Sequence, residues 1–354
     1  MSSEWRLATI EEIAAPYPTA FATGPFGSAI SAKYFVDSGV PVIRGSNLSA
    51  DVSTKLIDAG LVFVSPEKAR EFQRSVAKRG DLVFTCWGTI NQVGLIDTNS
   101  KFESYVVSNK QMKLSVDPTK ADCRFIYYVF SGPDKQSEIL DNGIGSSVPG
   151  FNLGQLKRHE LYLPPLAEQV RIADFLGILD DRITLLRETN ATLEAIAQAL
   201  FKSWFVDFDP VRAKQEGRAP EGMDEATAAL FPDGFEESEL GLVPKGWRVA
   251  PLDGIANFLN GLALQKFPPE NEDDWLPVIK IAQLRKGDTA GADRASSNIK
   301  QEYIVQNGDV LFSWSGSLEV EIWCAGTGAL NQHLFKVSSS DFPKWFYFFW
   351  TRQH

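Results

Sequence analysis

The sequence contains few of the residues that build disulfide frameworks or metal sites, with only three cysteines and three histidines among 354 residues. Cys86, Cys123 and Cys324 stand far from one another and from the histidines. No two of them have the spacing of a zinc site, and isolated cysteines are typical of a reducing compartment. The sequence therefore predicts no disulfide, no metal site and a cytoplasmic location.

Secretory and membrane signals are also missing. The N-terminus, MSSEWRLATIEE, has no basic start followed by an apolar run, as a signal peptide would. No apolar stretch approaches the length of a membrane span, so we expect no membrane partner.

Catalytic motifs are scarce as well. The sequence has no G-x-x-x-x-G-K-[ST] phosphate loop and no Asn-Pro-Pro-Tyr-like motif for base methylation. The loop NGIGSSV (Asn142–Val148) contains G-x-G but lacks a third glycine and a preceding strand. Pairs of acids such as Asp180–Asp181 have no nearby lysine in nuclease spacing. We therefore predict a non-catalytic chain with no catalytic residue and no cofactor.

Acidic residues exceed basic ones, for a net charge of −10, which alone argues against a nucleic-acid partner. The excess is uneven, because residues 1–163 hold 17 Lys+Arg and 17 Asp+Glu, whereas residues 206–245 hold 4 and 10. A basic face on the first part of the chain therefore remains compatible with the composition.

What the sequence does contain is an internal repeat. WRLATIEEIA, from residue 5, returns as WRVAPLDGIA from residue 247, with five of the ten positions identical. Further matches follow in the same order: PVIRGSNL with PVIKIAQL, GDLVFTCWGTI with GDVLFSWSGSL, KQMKLSVD with NQHLFKVS, and RFIYYVF with KWFYFFW. Collinear matches at five places indicate two copies of one domain.

Each copy mixes strand-like and helical segments, which predicts an α+β domain. VPVIR, DLVFTCW and QMKLSV are typical of strands. The segment from Pro66 to Gly80 has the composition of a helix closed by glycine. The aromatic run FIYYVF fits a buried helix or a strand, and periodicity does not choose between them.

Between the copies, apolar residues recur at alternating spacings of four and three, which predicts one long helix with a coiled-coil seam after Pro164 and Pro165. The seam consists of Ile172, Leu176, Leu179, Ile183, Leu186, Asn190, Leu193, Ala197, Leu200 and Trp204. Asn190 either fixes the register of a buried seam or is partly exposed near a bend. The Pro-, Gly- and Glu-rich segment after the helix reads as a linker that wraps or hangs loose, and FVDFDPV (Phe205–Val211) is apolar enough to dock.

A first domain ending in LPPLAEQ, a helix ending in ALFKSWFVDFDPVRAK and a second copy entered through VPKGW are similar to the DNA-specificity subunit of type I restriction–modification enzymes. The resemblance covers essentially the whole chain. It implies two target-recognition domains that each read half of a split site in double-stranded DNA, with helices setting the spacing. It also implies partners: modification (methyltransferase) subunits packed on the helices, and a restriction subunit for cleavage.

These observations predict four segments: a first recognition domain (1–163), a spacer helix (164–208), an acidic linker (209–245) and a second recognition domain (246–354). The second copy is expected to be truncated, lacking its last part and its own spacer helix. A seam without a second helix in the chain predicts pairing of two copies through the long helix, and hence a palindromic target.

Candidate DNA-contacting residues follow from the side chains that read base edges and phosphates. They lie in three polar loops and one basic cluster: Lys33, Arg44, Ser46 and Asn47; Thr89, Asn91 and Gln92; Ser146, Ser147 and Asn152; and Arg70, Arg74 and Lys78, spaced for one face of a helix. Arg44 could instead form a structural ion pair, the basic cluster could be a solvated helix face, and Trp87 is expected to pack in the core. Gly88 and Gly316 recur in both copies, which indicates a backbone requirement.

The favoured function is therefore a sequence-specific DNA-binding subunit without enzymatic activity. The alternatives are a coiled-coil scaffold that binds protein, the recognition part of a larger fused enzyme, or a non-functional remnant whose WFYFFW segment exposes apolar surface. Salt dependence of DNA binding separates the first two possibilities.

Overall fold

The computed structural model describes residues 5–144, 150–239 and 241–353. The chain forms two compact units, residues 1–191 and 192–354. Both units combine sheets with helices, as the α+β prediction required. The boundary falls inside the long helix, Leu166–Phe201, so the first part of this helix belongs to the first unit and the last part to the second. Within the described ranges, no helix is both long enough and apolar enough to cross a bilayer.

The strands of the first unit are short and rich in Val, Ile, Leu and Phe. They are Arg6–Thr9 (β1), Phe21–Thr23 (β2), Phe35–Val36 (β3), Val40–Ile43 (β4), Val62–Val64 (β5), Val76–Lys78 (β6), Asp81–Thr85 (β7), Val93–Leu95 (β8), Ser104–Val107 (β9), Gln111–Ser115 (β10) and Glu160–Leu163 (β11).

The helices that begin in the first unit are five short ones and one long one. They are Ile10–Ile13 (α1), Pro66–Glu71 (α2), Cys123–Ser131 (α3), Pro133–Asp141 (α4), Leu153–Arg158 (α5) and Leu166–Phe201 (α6).

Two larger sheets organise the first unit. One has the order β2-β10-β7-β8 and carries α3 on one face, where Phe84 of β7 meets Phe130 of α3 edge to face at 5.0 Å. The other has the order β3-β5-β4-β9-β6, in which β4 and β9 run parallel. A small third sheet pairs β1 with β11, so the strand that opens the unit lies beside the strand that precedes α6.

The aromatic run FIYYVF is helical, which resolves the alternative that periodicity left open. Asp122 caps α3 by accepting hydrogen bonds from the backbone N–H groups of Arg124 and Phe125. Phe125, Ile126 and Phe130 are buried on the face toward the sheet. Burial on one face, rather than on alternate residues, explains why the segment is a helix.

The helix predicted from Pro66 to Gly80 is wrong in its second half. Helix α2 ends at Glu71, a 3₁₀ turn follows, and Val76–Lys78 forms strand β6 against β9. Pairing with β9 buries Ala77 completely, and this tertiary contact overrides the local helix propensity.

The elements of the second unit are similarly short. Its strands are Phe235–Ser238 (β12), Gly241–Pro244 (β13), Asn257–Asn260 (β14), Trp275–Ile279 (β15), Arg294–Ser296 (β16), Ile304–Val305 (β17), Val310–Ser313 (β18), Glu319–Ile322 (β19), Gly328–Leu330 (β20) and Leu334–Ser338 (β21). Its further helices are Asp209–Gln215 (α7), Glu225–Ala229 (α8), Leu252–Ile255 (α9), Ile281–Lys286 (α10) and Lys344–Gln353 (α11).

The sheet orders confirm the internal repeat. The order β14-β21-β18-β19 repeats β2-β10-β7-β8, and β16-β15-β20-β17 repeats β5-β4-β9-β6, including the parallel pair. Gly88 and Gly316 both adopt positive φ angles, of 95° and 77°, which confirms the backbone requirement expected for them.

A second pair of equivalent glycines was not recognised from the sequence. Gly24 and Gly261 follow β2 and β14, and a Cβ atom on either would lie about 2 Å from a backbone carbonyl oxygen, that of Ser108 or Asn331. In each copy, the backbone at this glycine lies too close to the neighbouring backbone segment to leave room for a side chain.

The acidic segment is structured, which favours the wrapping alternative over a linker that hangs loose. After α6 the chain forms a π-helical turn at Lys202–Val206, then α7, α8 and the hairpin of β12 and β13. Aromatic rings hold this segment: Phe205 stacks on Trp247 at 5.9 Å and also contacts Trp345. FVDFDPV therefore docks, as predicted, within the second unit. Because α11 shares this aromatic cluster, WFYFFW is covered in part rather than left bare.

Candidate nucleic-acid interface

A cleft of about 560 Å³ opens in the first unit where its two larger sheets meet. The end of β4 contributes Arg44, the loop after β7 contributes Trp87, Thr89 and Gln92, and the connection from β9 to β10 forms another wall. The fold thus brings together two loops that the sequence predicted separately as DNA-contacting.

Arg44 lies half-buried at the edge of this cleft. Its Nη2 donates to the backbone carbonyl of Gly60 at 2.9 Å, and no carboxylate of a described residue pairs with it. The structural ion pair considered for Arg44 is therefore not formed by the described part of the chain. A positive charge beside a cleft, not neutralised by a carboxylate, is suited to an acceptor-rich ligand.

Asn47 does not reach the surface, and we exclude it from the candidate DNA contacts. It is 1 % exposed, its Oδ1 accepts from the N–H of Arg44, and its Nδ2 donates to the carbonyls of Ile57 and Ala59. A buried amide with these partners stabilises the loop. Ser46, beside it, is exposed.

Trp87 is 50 % exposed, so the expectation that it packs in the core is wrong. Its ring lies over Gly150, where an added Cβ would approach the ring to 2.6 Å. Thr89 is exposed and Asn91 half-buried, whereas the Nε2 of Gln92 already donates to Leu48 at 3.4 Å. An indole at the mouth of a cleft provides a stacking surface for a nucleobase.

The basic cluster does not form the helical stripe that was predicted. Arg70 lies on α2, Arg74 on the 3₁₀ turn and Lys78 on β6, because the helix ends early. All three are exposed, but Arg70 pairs with Glu67 at 2.8 Å. Arg74 and Lys78 have no carboxylate partner among the described residues, which makes them the better candidates for phosphate contacts.

The remaining candidates have mixed positions. Ser146 and Ser147 lie outside the described residues. Asn152 caps α5 by accepting from the N–H of Gln155 at 3.0 Å, so its side chain serves the helix. Lys33 is exposed, and its hydrogen bond and charge lower the pKa of the neighbouring Tyr34.

The helix seam is exposed along its middle and engaged at both ends. Exposed apolar side chains on α6 include Phe175, Ile178, Leu179, Ile183, Leu185, Leu186, Leu193, Ile196 and Leu200. Ile172 packs against the core of the first unit, Leu176 is half-buried, and Asn190 is exposed. Trp204 lies in the π-helical turn, beyond the regular helix, and packs on Phe231 at 5.8 Å. The change of helical period there takes Trp204 out of the seam.

Two buried polar residues of α6 anchor it to the first unit, and neither was predicted. Gln169 is fully buried; its Oε1 accepts from the N–H of Asp122 and its Nε2 donates to the carbonyl of Pro164. Asp180 accepts from the hydroxyl of Tyr128 at 2.6 Å and from Lys55 at 3.2 Å. Burial and then the bond to Asp180 raise the pKa of Tyr128, which keeps this hydroxyl a donor.

Cys86 directly follows β7, between the cleft-lining residues Thr85 and Trp87. Burial raises the pKa of its thiol to about 12, so it is protonated at neutral pH and is a poor nucleophile. The cleft thus offers hydrogen bonds, positive charge and an aromatic face, which are features of a binding site.

Comparison with known proteins gives a consistent result. Residues 28–195 match the model of the type I restriction modification DNA specificity domain. The specificity subunit of the type I restriction enzyme HindI of Haemophilus influenzae is 32% identical over 159 residues, which cover 44% of this chain and 34% of that protein. The MjaIX specificity subunit of Methanocaldococcus jannaschii is 25% identical over 187 residues, covering 52% and 41%. The match therefore spans well under half the length of these relatives.

Among solved structures, the S subunit of a type I restriction–modification system from M. genitalium aligns with 99% of this chain and 78% of its own. The TM-score is 0.46 and the identity 15%. The family match begins near the start of the first unit and extends through most of α6. Residues 28–195, just under half of the chain, are thus similar to the type I restriction modification DNA specificity domain.

Proposed function

We propose that this chain is a non-catalytic DNA-recognition subunit that directs methylation and restriction by a type I restriction–modification complex to a split target. The observation that carries the proposal is the family match, which includes the cleft of the first unit and most of α6. The specificity subunits that resemble it over this region support the same role.

The first unit offers suitable side chains for both kinds of DNA contact. Thr89, Asn91 and Ser46 lie in the loops at the ends of β7 and β4 and are suited to base edges. Arg74 and Lys78, exposed and without carboxylate partners among the described residues, are suited to phosphates. The duplicated topology supports a second reading domain, and hence a target with two halves.

The apolar surface of α6 supports partner binding. Soluble monomers rarely expose a long row of large apolar side chains, and such a row marks an interface. We assign it to modification subunits, with a restriction subunit joining for cleavage, and to pairing of two copies of this chain when those subunits are absent.

The proposal is tested by genome-wide sequencing of modified bases in cells that express the chain with its modification subunit. Cells with the modification subunit alone are the control. A split motif that requires the chain supports the proposal, and an asymmetric motif indicates that both units read DNA. A palindromic motif indicates paired first units. A stable complex that modifies no motif would favour the protein-binding scaffold instead.

Arg74→Ala is expected to weaken DNA binding by a few-fold, equally for all sequences, because it removes one phosphate contact. The slope of log affinity against log salt should fall by about one. Fluorescence anisotropy with labelled duplexes at several salt concentrations measures both quantities. Arg70→Ala is the matched control and should have less effect, since Arg70 is already paired with Glu67. An unchanged salt slope for Arg74→Ala would rule out its phosphate contact.

Ile183→Glu is expected to raise the dissociation constant of the self-paired chain at least about ten-fold, because it places a charge on the seam. Sedimentation equilibrium of the purified chain provides the measurement. Leu185→Glu is the control, since Leu185 is equally apolar and exposed but lies off the predicted seam. A wild-type chain that stays monomeric at all concentrations would contradict pairing.

A further inference from the structure

Five buried side-chain polar atoms of the first unit lack hydrogen-bonding partners among the described residues, and three of them belong to residues that line the cleft. These three are Arg44 Nε, Thr85 Oγ1 and Gln111 Nε2. Thr85 and Gln111 are 3 % and 1 % exposed. A buried donor without a partner destabilises the folded state, so native proteins keep few of them.

The three groups are neighbours in the fold. Thr85 on β7 and Gln111 on β10 are directly opposite each other in the antiparallel register, so their side chains share one face of the sheet. The Oε1 of Gln111 accepts from the hydroxyl of Ser108, which leaves its Nε2 as a donor. A Cβ atom on Gly45 would lie 3.6 Å from this Nε2, which places Gln111 beside the backbone that carries Arg44.

The second unit shows that the fold does not require these unpaired groups. In the strand register, which shifts the match of KQMKLSVD by two residues relative to the sequence alignment, the second unit has Ser313 and the apolar Leu334 at the positions of Thr85 and Gln111. The hydroxyl of Ser313 donates to the carbonyl of Ser317 at 2.9 Å. At the position of Arg44 the second unit has Lys280, which forms an ion pair with Asp293. The same architecture is thus built with every equivalent group bonded or apolar. The open hydrogen-bonding capacity of the first unit is specific to its cleft.

We propose that this cleft receives one guanine nucleotide drawn out of the base stack. The cleft is concave, so it accommodates a projecting group better than the flat edge of a stacked base pair. Guanine presents two adjacent acceptors, O6 and N7, which match the donors of Gln111 and Arg44, and the Thr85 hydroxyl can donate or accept. Adenine presents an N–H donor in place of O6 and would leave a donor facing a donor.

Trp87 completes the site as a movable stacking platform. Its half-exposed indole stands at the mouth of the cleft, whereas the three polar atoms are shielded from water. A base therefore reaches them only after a side chain at the mouth rotates. Stacking of the base on the indole would offset part of the loss of stacking in the duplex.

This inference rests on the proposed DNA-binding function, and its first test does not require DNA. The full chain is titrated with deoxyguanosine monophosphate and deoxyadenosine monophosphate, and binding is followed by NMR and tryptophan fluorescence. We expect saturable binding that favours the guanine nucleotide by about ten-fold or more. Equal binding of both nucleotides, or of neither, would overturn the inference, and in the latter case the groups serve bound water alone.

Gln111→Leu copies the residue of the second unit and should weaken guanine nucleotide binding at least about ten-fold. Its melting temperature should change little, since the change removes an unpaired donor together with the acceptor of the Ser108 hydroxyl. Thr85→Val, which is isosteric, should act in the same direction and provides a second variant. Ser313→Val is the matched control; it should lower the melting temperature without changing nucleotide binding. Unchanged affinity in both Gln111→Leu and Thr85→Val would refute the site.

A duplex test follows once the modified motif is known. With pyrrolo-deoxycytidine opposite the guanine of the first half-site, fluorescence should rise on binding of the wild-type chain and not of Gln111→Leu. A half-site without guanine would contradict the inference while leaving the proposed function intact. If the chain binds the guanine nucleotide but directs no modification, the inferred site would stand and the proposed function would be contradicted.

Discussion

Asp180→Ala is expected to destabilise the attachment of α6 to the first unit by about 3 kcal/mol. The carboxylate lies at the centre of a nearly buried cluster, where it accepts from Tyr128 and neutralises Lys55. Removing it leaves the ammonium group of Lys55 without its partner and the hydroxyl of Tyr128 without an acceptor, and both groups stay largely buried. Hydrogen–deuterium exchange of α3 and the first half of α6 measures the loss as faster exchange.

Asp181→Ala is the matched control, because the neighbouring aspartate is exposed. Its effect should remain within about 0.5 kcal/mol. Equal acceleration of exchange in the two variants would show that the cluster around Asp180 contributes no more than a surface charge. Under the proposed function, a loosely attached helix is also expected to lower the rate of modification.

Phe201→Ala is expected to destabilise the second unit by about 3–4 kcal/mol. Phe201 is 4 % exposed at the end of α6 and stacks on Phe349 at 5.2 Å, with Trp350 edge-on at 5.3 Å. Truncation would open a cavity between α6 and α11 that the surrounding rings fill only in part. Limited proteolysis and exchange of residues 202–247 measure the outcome, because this segment is held by the same aromatic cluster.

Leu230→Ala removes a similar apolar volume from an exposed position, at 79 % exposure, and should leave the proteolysis rate unchanged. If Phe201→Ala were cleaved no faster than Leu230→Ala, the aromatic cluster would not be the element that holds the segment. The prediction also separates the two units, since exchange of α3 in the first unit should not change.

Much of the fold could be predicted from the sequence because the sequence contains two copies of one domain. The collinear matches located equivalent strands, such as β7 and β18, without any estimate of propensity. Local composition failed where a distant partner decides the structure. Val76–Lys78 lies in a segment of helix-forming residues, yet it pairs with β9 and is therefore a strand. Likewise the acidic composition after α6 left open whether the segment wraps or hangs loose, because the ring contacts that hold it come from residues far along the chain, such as Trp345.

The geometry around the candidate site could be predicted from the sequence only in part. Polar residues at strand ends pointed to the loops of Arg44 and Thr89, which the structure places at one cleft. Residue type alone does not separate an amide that satisfies its own loop, as Asn47 does, from one that is free, as the Nε2 of Gln111 is. The latter distinction depends on every neighbouring donor and acceptor, which only coordinates supply. Anchors such as Gln169 were missed for the same reason.

Because β1 pairs with β11, the polypeptide chain enters and leaves the first unit at the same place. Arg6 of β1 stands opposite Leu163 of β11, immediately before the helix begins. The chain between these two strands therefore begins and ends at the same edge of the first unit. Genetic exchange within residues 10–159 would replace all the proposed DNA-contacting residues of the first unit and keep the β1–β11 pair and the helix. Under the proposed function, new sequence preferences could then arise by recombination rather than by successive point mutations.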